Sequence, residues 1–263
     1  MPEHLDEPAA PRRFEDLELG GAVFSRVVLA RARFDAVDLT GATFRAVDLV
    51  DVEVSGDITG LRINGVEVAP LVDAELDRRH PGRAKMRPVD AAGFREAWDL
   101  LESLWGATVE RARGLPEDWL HERVGGEWSF IETLRHLVFA TDAWVRRAIL
   151  GIASPWDPLD LPHDEMEAHP GVPRDREARP KLDEVLALRA DRIATVRQVL
   201  AGLSDAELAA TTAPVAAPGY PASQGFEVAG CLRIVLNEEW QHRLYAERDL
   251  DALGARDAQG ESP

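Results

Sequence analysis

The sequence predicts an α+β multidomain chain, a short β-coil followed by an all-α four-helix bundle. Three observations predict it. Large apolar residues recur every five positions, at Phe14, Leu19, Phe24, Leu29, Phe34, Leu39, Phe44, Leu49 and Val54. From about residue 90 onward the apolar period changes to that of an amphipathic helix, in four long stretches. Between the two lie a turn dipeptide, Asn64-Gly65, and the proline-flanked segment PGRAKMRP.

A period of five fits neither the 3.6 of a helix nor the 2.0 of a strand. It suits a square coil in which each five-residue face turns an inward pair onto an axis. The second member of that pair sits two residues earlier, as in Ala22, Val27, Ala32, Val37 and Ala42. Asn64-Gly65 between apolar alternations reads as a hairpin turn. Pro70 can open a short helix, PLVDAELDRRH, which stops before Pro81-Gly82. PGRAKMRP reads as a linker and a solvated loop.

Residues 90–114 have helical spacing through Phe94, Trp98, Leu101 and Trp105, with Asp90 as N-cap. The second helix starts at Ser129, whose partner Glu132 completes a capping box, and runs to Gly151. A proline-rich loop follows, about 152–179, long enough to be either functional or disordered. The third helix covers 180–202. A short acidic turn, SDAEL, and a Pro/Ala/Gly-rich loop lead to the last helix, about 226–253. Two long connections allow crossovers in the bundle. Trp98, Trp105, Trp144 and Trp240 fall at core positions. The expected boundaries are 1–13 flexible, 14–68 coil with hairpin, 69–88 short helix and linker, 89–254 bundle, and 255–263 disordered tail.

Composition narrows the function classes. With 47 acidic against 30 basic residues, the formal charge is -17. Such a surface repels phosphate, so nucleic acid is not an expected partner, and anionic membranes are disfavoured. No unbroken apolar run is long enough for a membrane span. The acidic start MPEHLDEPAAP lacks the features of a signal peptide. A single cysteine, Cys231, fits a reducing cytoplasm and reads as core.

The chemistry-bearing residues are few. Glu238 and His242 lie four apart on the last helix, so both side chains can reach one point. His136 lies among apolar neighbours on the second helix and needs a partner if buried. Two imidazoles and a carboxylate suit Zn²⁺, Ni²⁺ or Fe²⁺, and three protein ligands leave coordination positions open. On spacing alone, a Glu-x-x-x-His pair is more often an exposed polar pair, and a lone helical histidine more often a satisfied core residue. Glu239 is a rival ligand. Glu132 repeats the same spacing with His136 but is first a capping residue. Arg189 interrupts an apolar run and is a candidate contact for a cofactor or an acidic substrate group; a stem spread over the bundle rim explains it as well. His163, another candidate contact, and His169 read as solvated loop residues.

The segments AVFSR, ARFDA, VDLTG, ATFRA and VDLVD resemble pentapeptide repeats. That resemblance implies a right-handed quadrilateral β-helix with the Leu, Phe and small residues inside. Some relatives mimic DNA as long rods. This segment is short, which favours a docking or capping element, a surface for a protein partner.

Trp128-Ser129, Glu132-Thr133-Leu134, His136-Leu137, Leu150-Gly151 and Pro155-Trp156 stand in the order found in DinB-like proteins. LNEEWQHRLYAERDL resembles the last helix of that family. The resemblance, over about 88–253, implies metal ligands at His136, Glu238 and His242, with zinc preferred and nickel or iron as alternatives. The carboxylate at 238 matches the branch similar to mycothiol-dependent maleylpyruvate isomerase. It implies a small-molecule electrophile, mycothiol or a similar thiol, and thiol S-transfer or isomerisation. The catalytic species would be a metal-bound water or thiol. A homodimer is a further expectation. A non-catalytic module with a structural metal is the alternative.

Overall fold

The computed structural model describes residues 13–164 and 166–259. The chain divides into two compact units, one ending at Gly56 and one beginning at Asp57.

The first unit keeps the period of five in its backbone. Positive φ recurs at Asp16, Gly21, Arg26, Arg31, Ala36, Gly41, Ala46, Asp51 and Gly56, one corner per repeat. Turn hydrogen bonds close alternate corners, from Ala22, Ala32 and Ala42 back to Leu19, Leu29 and Leu39 at 2.9–3.0 Å. The expected β-helix is not formed among the described residues. No strand is present there, and the rows expected inside are exposed, with Phe34 at 60% and Leu39 at 50%. The physical reason is length. Nine repeats give only a little over two turns, so nearly every inward residue has a single stacked neighbour, too little to close a solenoid core.

The second unit opens with a hairpin. Strands β1 (Arg62–Ile63) and β2 (Val66–Glu67) pair antiparallel, Arg62 with Glu67 and Ile63 with Val66. Asn64 and Gly65 both take positive φ, as this tight turn requires. Helix α1 (Ala69–Arg79) follows, with its proline in the first turn. The basic segment beyond it is not a free linker. Arg83 pairs with Asp73 and Asp77, and Met86 is buried in the bundle core.

The four long helices are α2 (Ala91–Arg113), α3 (Phe130–Thr141), α4 (Leu182–Gly202) and α6 (Val228–Gln259), with a one-turn α5 (Asp205–Leu208) before the last. Asp90 caps α2 through the Gly93 amide, and Ser129 and Glu132 form the capping box of α3. Along the chain α2 and α3 are consecutive, yet each packs on α4 and α6. The core falls into two main clusters. One gathers Phe94, Trp98, Leu101, Val196, Leu232 and Trp240; the other gathers Trp105, Ile131, Leu134, Leu137, Val185 and Leu250. Trp144 is only half-buried, against a third cluster around Phe139 and Met166.

Two features differ from the expected helices. Beyond Thr141 the second helix continues as a π-helical stretch, Asp142–Ile149. The last helix runs to Gln259, so residues 255–259 are helical, while 260–263 lie outside the described residues, as does the N-terminal segment before Arg13.

The described residues of the 152–179 loop carry no helix or strand, but the loop is pinned by buried arginines. Arg135 donates to the carbonyls of Leu159, Asp175 and Ala178. Arg147 donates to those of Ala153 and Ala217. Arg192 holds the buried Asp142 carboxylate from α4, Nη2 to Oδ2 at 2.7 Å. The first two arginines order the loop against α3 and the π-helical stretch, and the third ties that stretch to α4.

Candidate metal centre

Helix α3 presents His136, and α6 presents Glu238 and His242. Each can offer one donor atom, and these atoms lie within 4.8 Å of one another. His136 Nε2 stands 3.2 Å from Glu238 Oε2. On the other side His242 Nδ1 stands 3.2 Å from the same oxygen and 3.0 Å from the Glu238 backbone oxygen. One neighbouring ring, Trp128, packs on both imidazoles. Trp128 lies 4.7 Å from His136 and stacks at 6.0 Å on His242, and the two imidazoles are 4.8 Å apart between centroids.

The hydrogen bonds fix the tautomers. His136 Nδ1 is 2.9 Å from the Leu161 carbonyl oxygen. A carbonyl only accepts, so Nδ1 carries the proton and the neutral ring offers Nε2 as a lone pair. The same reasoning applies to His242, whose Nδ1 faces the Glu238 carbonyl. Burial, against the pull of Glu238, holds His136 below its ordinary pKa and favours the neutral ring. For Glu238 burial alone would raise the pKa, but its pairing with the His136 and His242 rings outweighs that and keeps the group a carboxylate. A lone pair on His136 Nε2 thus faces a carboxylate oxygen, and something positive belongs between them. A tetrahedral cation with bonds of about 2.0–2.1 Å sets neighbouring donor atoms about 3.3–3.4 Å apart. The 3.2 Å between His136 Nε2 and Glu238 Oε2 comes close to that. The donor set therefore fits a divalent cation with open positions.

The neighbouring candidates lie elsewhere. Glu239, the rival ligand, is fully buried and faces Arg189, which meets it with two hydrogen bonds of 2.5 and 2.8 Å. Arg189 also lies over the Trp105 ring, whose Nε1 donates to the Glu239 carbonyl. The Arg189 guanidinium is thereby committed to Glu239. Glu132 stays with Ser129 and Arg123. Cys231 is buried, and burial pushes its thiol up to about 11. His163 and His169 are not solvated loop residues. Both are half-buried against Tyr220, which also stacks on Phe139. Their loops are held close to the bundle, which brings the rings together.

Sequence reasoning passed over Arg135, Leu161 and Tyr220. Only Arg135 left a signal, a charge set inside the apolar run TLRHLVFA. Leu161 acts through its carbonyl, which no side-chain pattern reveals.

No curated protein matches the chain, and no solved structure does. A family model described as pentapeptide repeats matches residues 13–53 in 8 copies. One described as the DinB superfamily matches residues 100–246. That span exceeds half of the 263 residues and includes all three residues of the cluster, so the chain belongs to the DinB superfamily.

Proposed function

We propose that His136, Glu238 and His242 hold a divalent cation, zinc by preference, and that the protein is a metal-dependent thiol S-transferase or isomerase acting on a small electrophile. The observation that supports it best is the apposition of the His136 Nε2 lone pair and the Glu238 carboxylate at 3.2 Å in a buried cluster. When bound, such a cation lowers the pKa of a thiol, mycothiol or a similar one, and makes it nucleophilic near neutral pH.

The chain's own residues supply the surroundings. Leu161 and the Glu238 carbonyl fix the two imidazole tautomers. Trp128 covers one side of both rings and limits water there. The chain needs no nucleophile of its own, and Cys231 is a buried thiol rather than a reactive one. Arg189 positions α6 through Glu239, beside the ligand Glu238.

The exposed Phe14, Phe24, Phe34 and Phe44 favour a second reading for the first unit. In that reading residues 14–68 form a protein-docking surface, which closes into a right-handed quadrilateral β-helix once covered by a partner or a second copy. Residues 89–254 remain the functional bundle, in a cytoplasmic protein. If the metal only braces the bundle, this docking role is the whole function.

Elemental analysis of the wild type and of His136→Ala and His242→Ala tests the first reading. We expect one equivalent of metal in the wild type and none in either variant. A metal-loaded protein should then accelerate displacement of chloride from 1-chloro-2,4-dinitrobenzene by mycothiol, cysteine or another small thiol. Metal retained in both variants sinks the site. Metal without thiol-dependent turnover leaves the docking module.

A further inference from the structure

We propose that Arg135 is a positioning residue for the His136 ligand, acting through the loop stretch Leu159–Leu161; this rests on the metal reading above. Arg135 immediately precedes His136 on α3 and is fully buried. No carboxylate hydrogen-bonds to it among the described residues. Its donors go instead to backbone carbonyls, Nε to Leu159 at 2.8 Å, Nη1 to Ala178 at 3.2 Å and Nη2 to Asp175 at 2.5 Å. Burying a guanidinium is costly unless its donors are met, and here they tie two separate stretches of the 152–179 loop, Leu159 and Asp175–Ala178, to one side chain.

The next side chain along the helix grips the same stretch. His136 Nδ1 donates to the Leu161 carbonyl, two residues beyond the carbonyl that Arg135 holds. Consecutive residues on a helix point about 100° apart, so the loop wraps across both. The turn leading into this stretch is further fixed, because the Leu159 amide donates to Asp157 Oδ1 at 2.9 Å and the Asp160 amide to the Asp157 carbonyl at 2.9 Å. The Leu161 carbonyl therefore cannot follow the imidazole if the ring rotates. Arg135 holds the acceptor still, the acceptor holds the Nδ1 proton, and Nε2 is left facing Glu238 and His242. Partners outside the ligands themselves are worth about 10–100-fold in metal affinity.

Arg147 provides the control. It too is a buried arginine on the same helical run, and it braces the same loop at Ala153 together with Ala217, with no link to Leu161. A role in general bracing would make the two arginines equivalent.

The test measures zinc affinity, by competition with a chromophoric chelator, for the full chain and for Arg135→Gln and Arg147→Gln. We expect Arg135→Gln to bind zinc about 10–100-fold more weakly and Arg147→Gln to bind within about threefold of the wild type. In ¹⁵N spectra of the zinc-loaded wild type, His136 should carry its proton on Nδ1, and Arg135→Gln should lose that single tautomer. If Arg135→Gln does not fold, Arg135→Lys takes its place, since an ammonium cannot hold Leu159 and the 175–178 carbonyls together. Equal affinity in the wild type and the Arg135 variant overturns the proposal while the metal site stands. So does an equal loss in the Arg147 variant. A wild type that binds no zinc overturns the metal reading itself.

Discussion

The two units obey their sequence periods to the same degree and reach opposite results. In the repeat unit every fifth residue makes a corner, yet its phenylalanines and leucines stay exposed. In the helical unit Phe94, Ile131, Leu134 and Leu137 are fully buried. A regular backbone is therefore not a core. The helices bury apolar stripes because partners approach from two sides. The coil has corners but no second layer, so its apolar rows face water. The contrast predicts that mutational cost follows burial rather than regularity, and five substitutions test it.

The largest effect is expected at the buried pair Arg189–Glu239. Glu239→Gln leaves a guanidinium without its counter-charge and should cost about 3–5 kcal/mol in urea melts. The adjacent Glu238→Gln should instead abolish zinc binding at a much smaller cost in stability. The two neighbours on one helix would then separate structure from site. Loss of zinc in Glu239→Gln with full retention in Glu238→Gln would exchange their roles.

Next comes Leu134→Ala, expected to cost about 2–5 kcal/mol through lost transfer energy and a cavity in the second cluster. Leu134 was legible as core because its apolar spacing declares a buried stripe. The same holds for the caps at Asp90 and Ser129 and for the hairpin at Asn64-Gly65, each a local rule read from a few adjacent residues. What sequence did not yield is held by long-range pairing. Arg189 meets Glu239 fifty positions away, and Arg192 meets Asp142 across the bundle. Arg135 ends on backbone carbonyls that carry no sequence signature. The π-helical stretch after Thr141 was equally hidden, because a helix that widens keeps an amphipathic pattern. The cluster His136, Glu238 and His242 was readable as a set of ligand types; its closeness depended on packing that only the structure supplies.

A smaller effect is expected at Asp160, with a sign that depends on pH. Its carboxyl is fully buried, and Oδ1 has no hydrogen-bond partner. Burial first, and then the Asp142 charge, raise its pKa well above 3.8. A carboxyl with a raised folded pKa binds its proton more tightly in the folded state. Its contribution is favourable below the unfolded value and is lost as pH rises through the folded value. Asp160→Asn should therefore stabilise the protein at pH 7 by roughly 1–3 kcal/mol, the order of one unmet buried group. The gain should shrink toward pH 4. A variant less stable than wild type at pH 7 would show that Arg192 needs the Asp160 charge.

The smallest effect is expected from Phe34→Ala in the repeat unit, and it bears most directly on the contrast. A residue 60% exposed has little burial to lose, so the change should fall within about 0.5 kcal/mol, in line with other surface positions. A stacked quadrilateral coil predicts something else, because its inward phenylalanines would be core residues and truncation would cost about 3–5 kcal/mol. Differential scanning calorimetry of the full chain separates the cases, provided that the unit's own transition is followed. A cost near zero in the isolated protein keeps the apolar rows open to water and available to a partner. A cost of several kcal/mol would mean that two turns of coil suffice to bury their own axis, and the difference between the units would then be one of size alone.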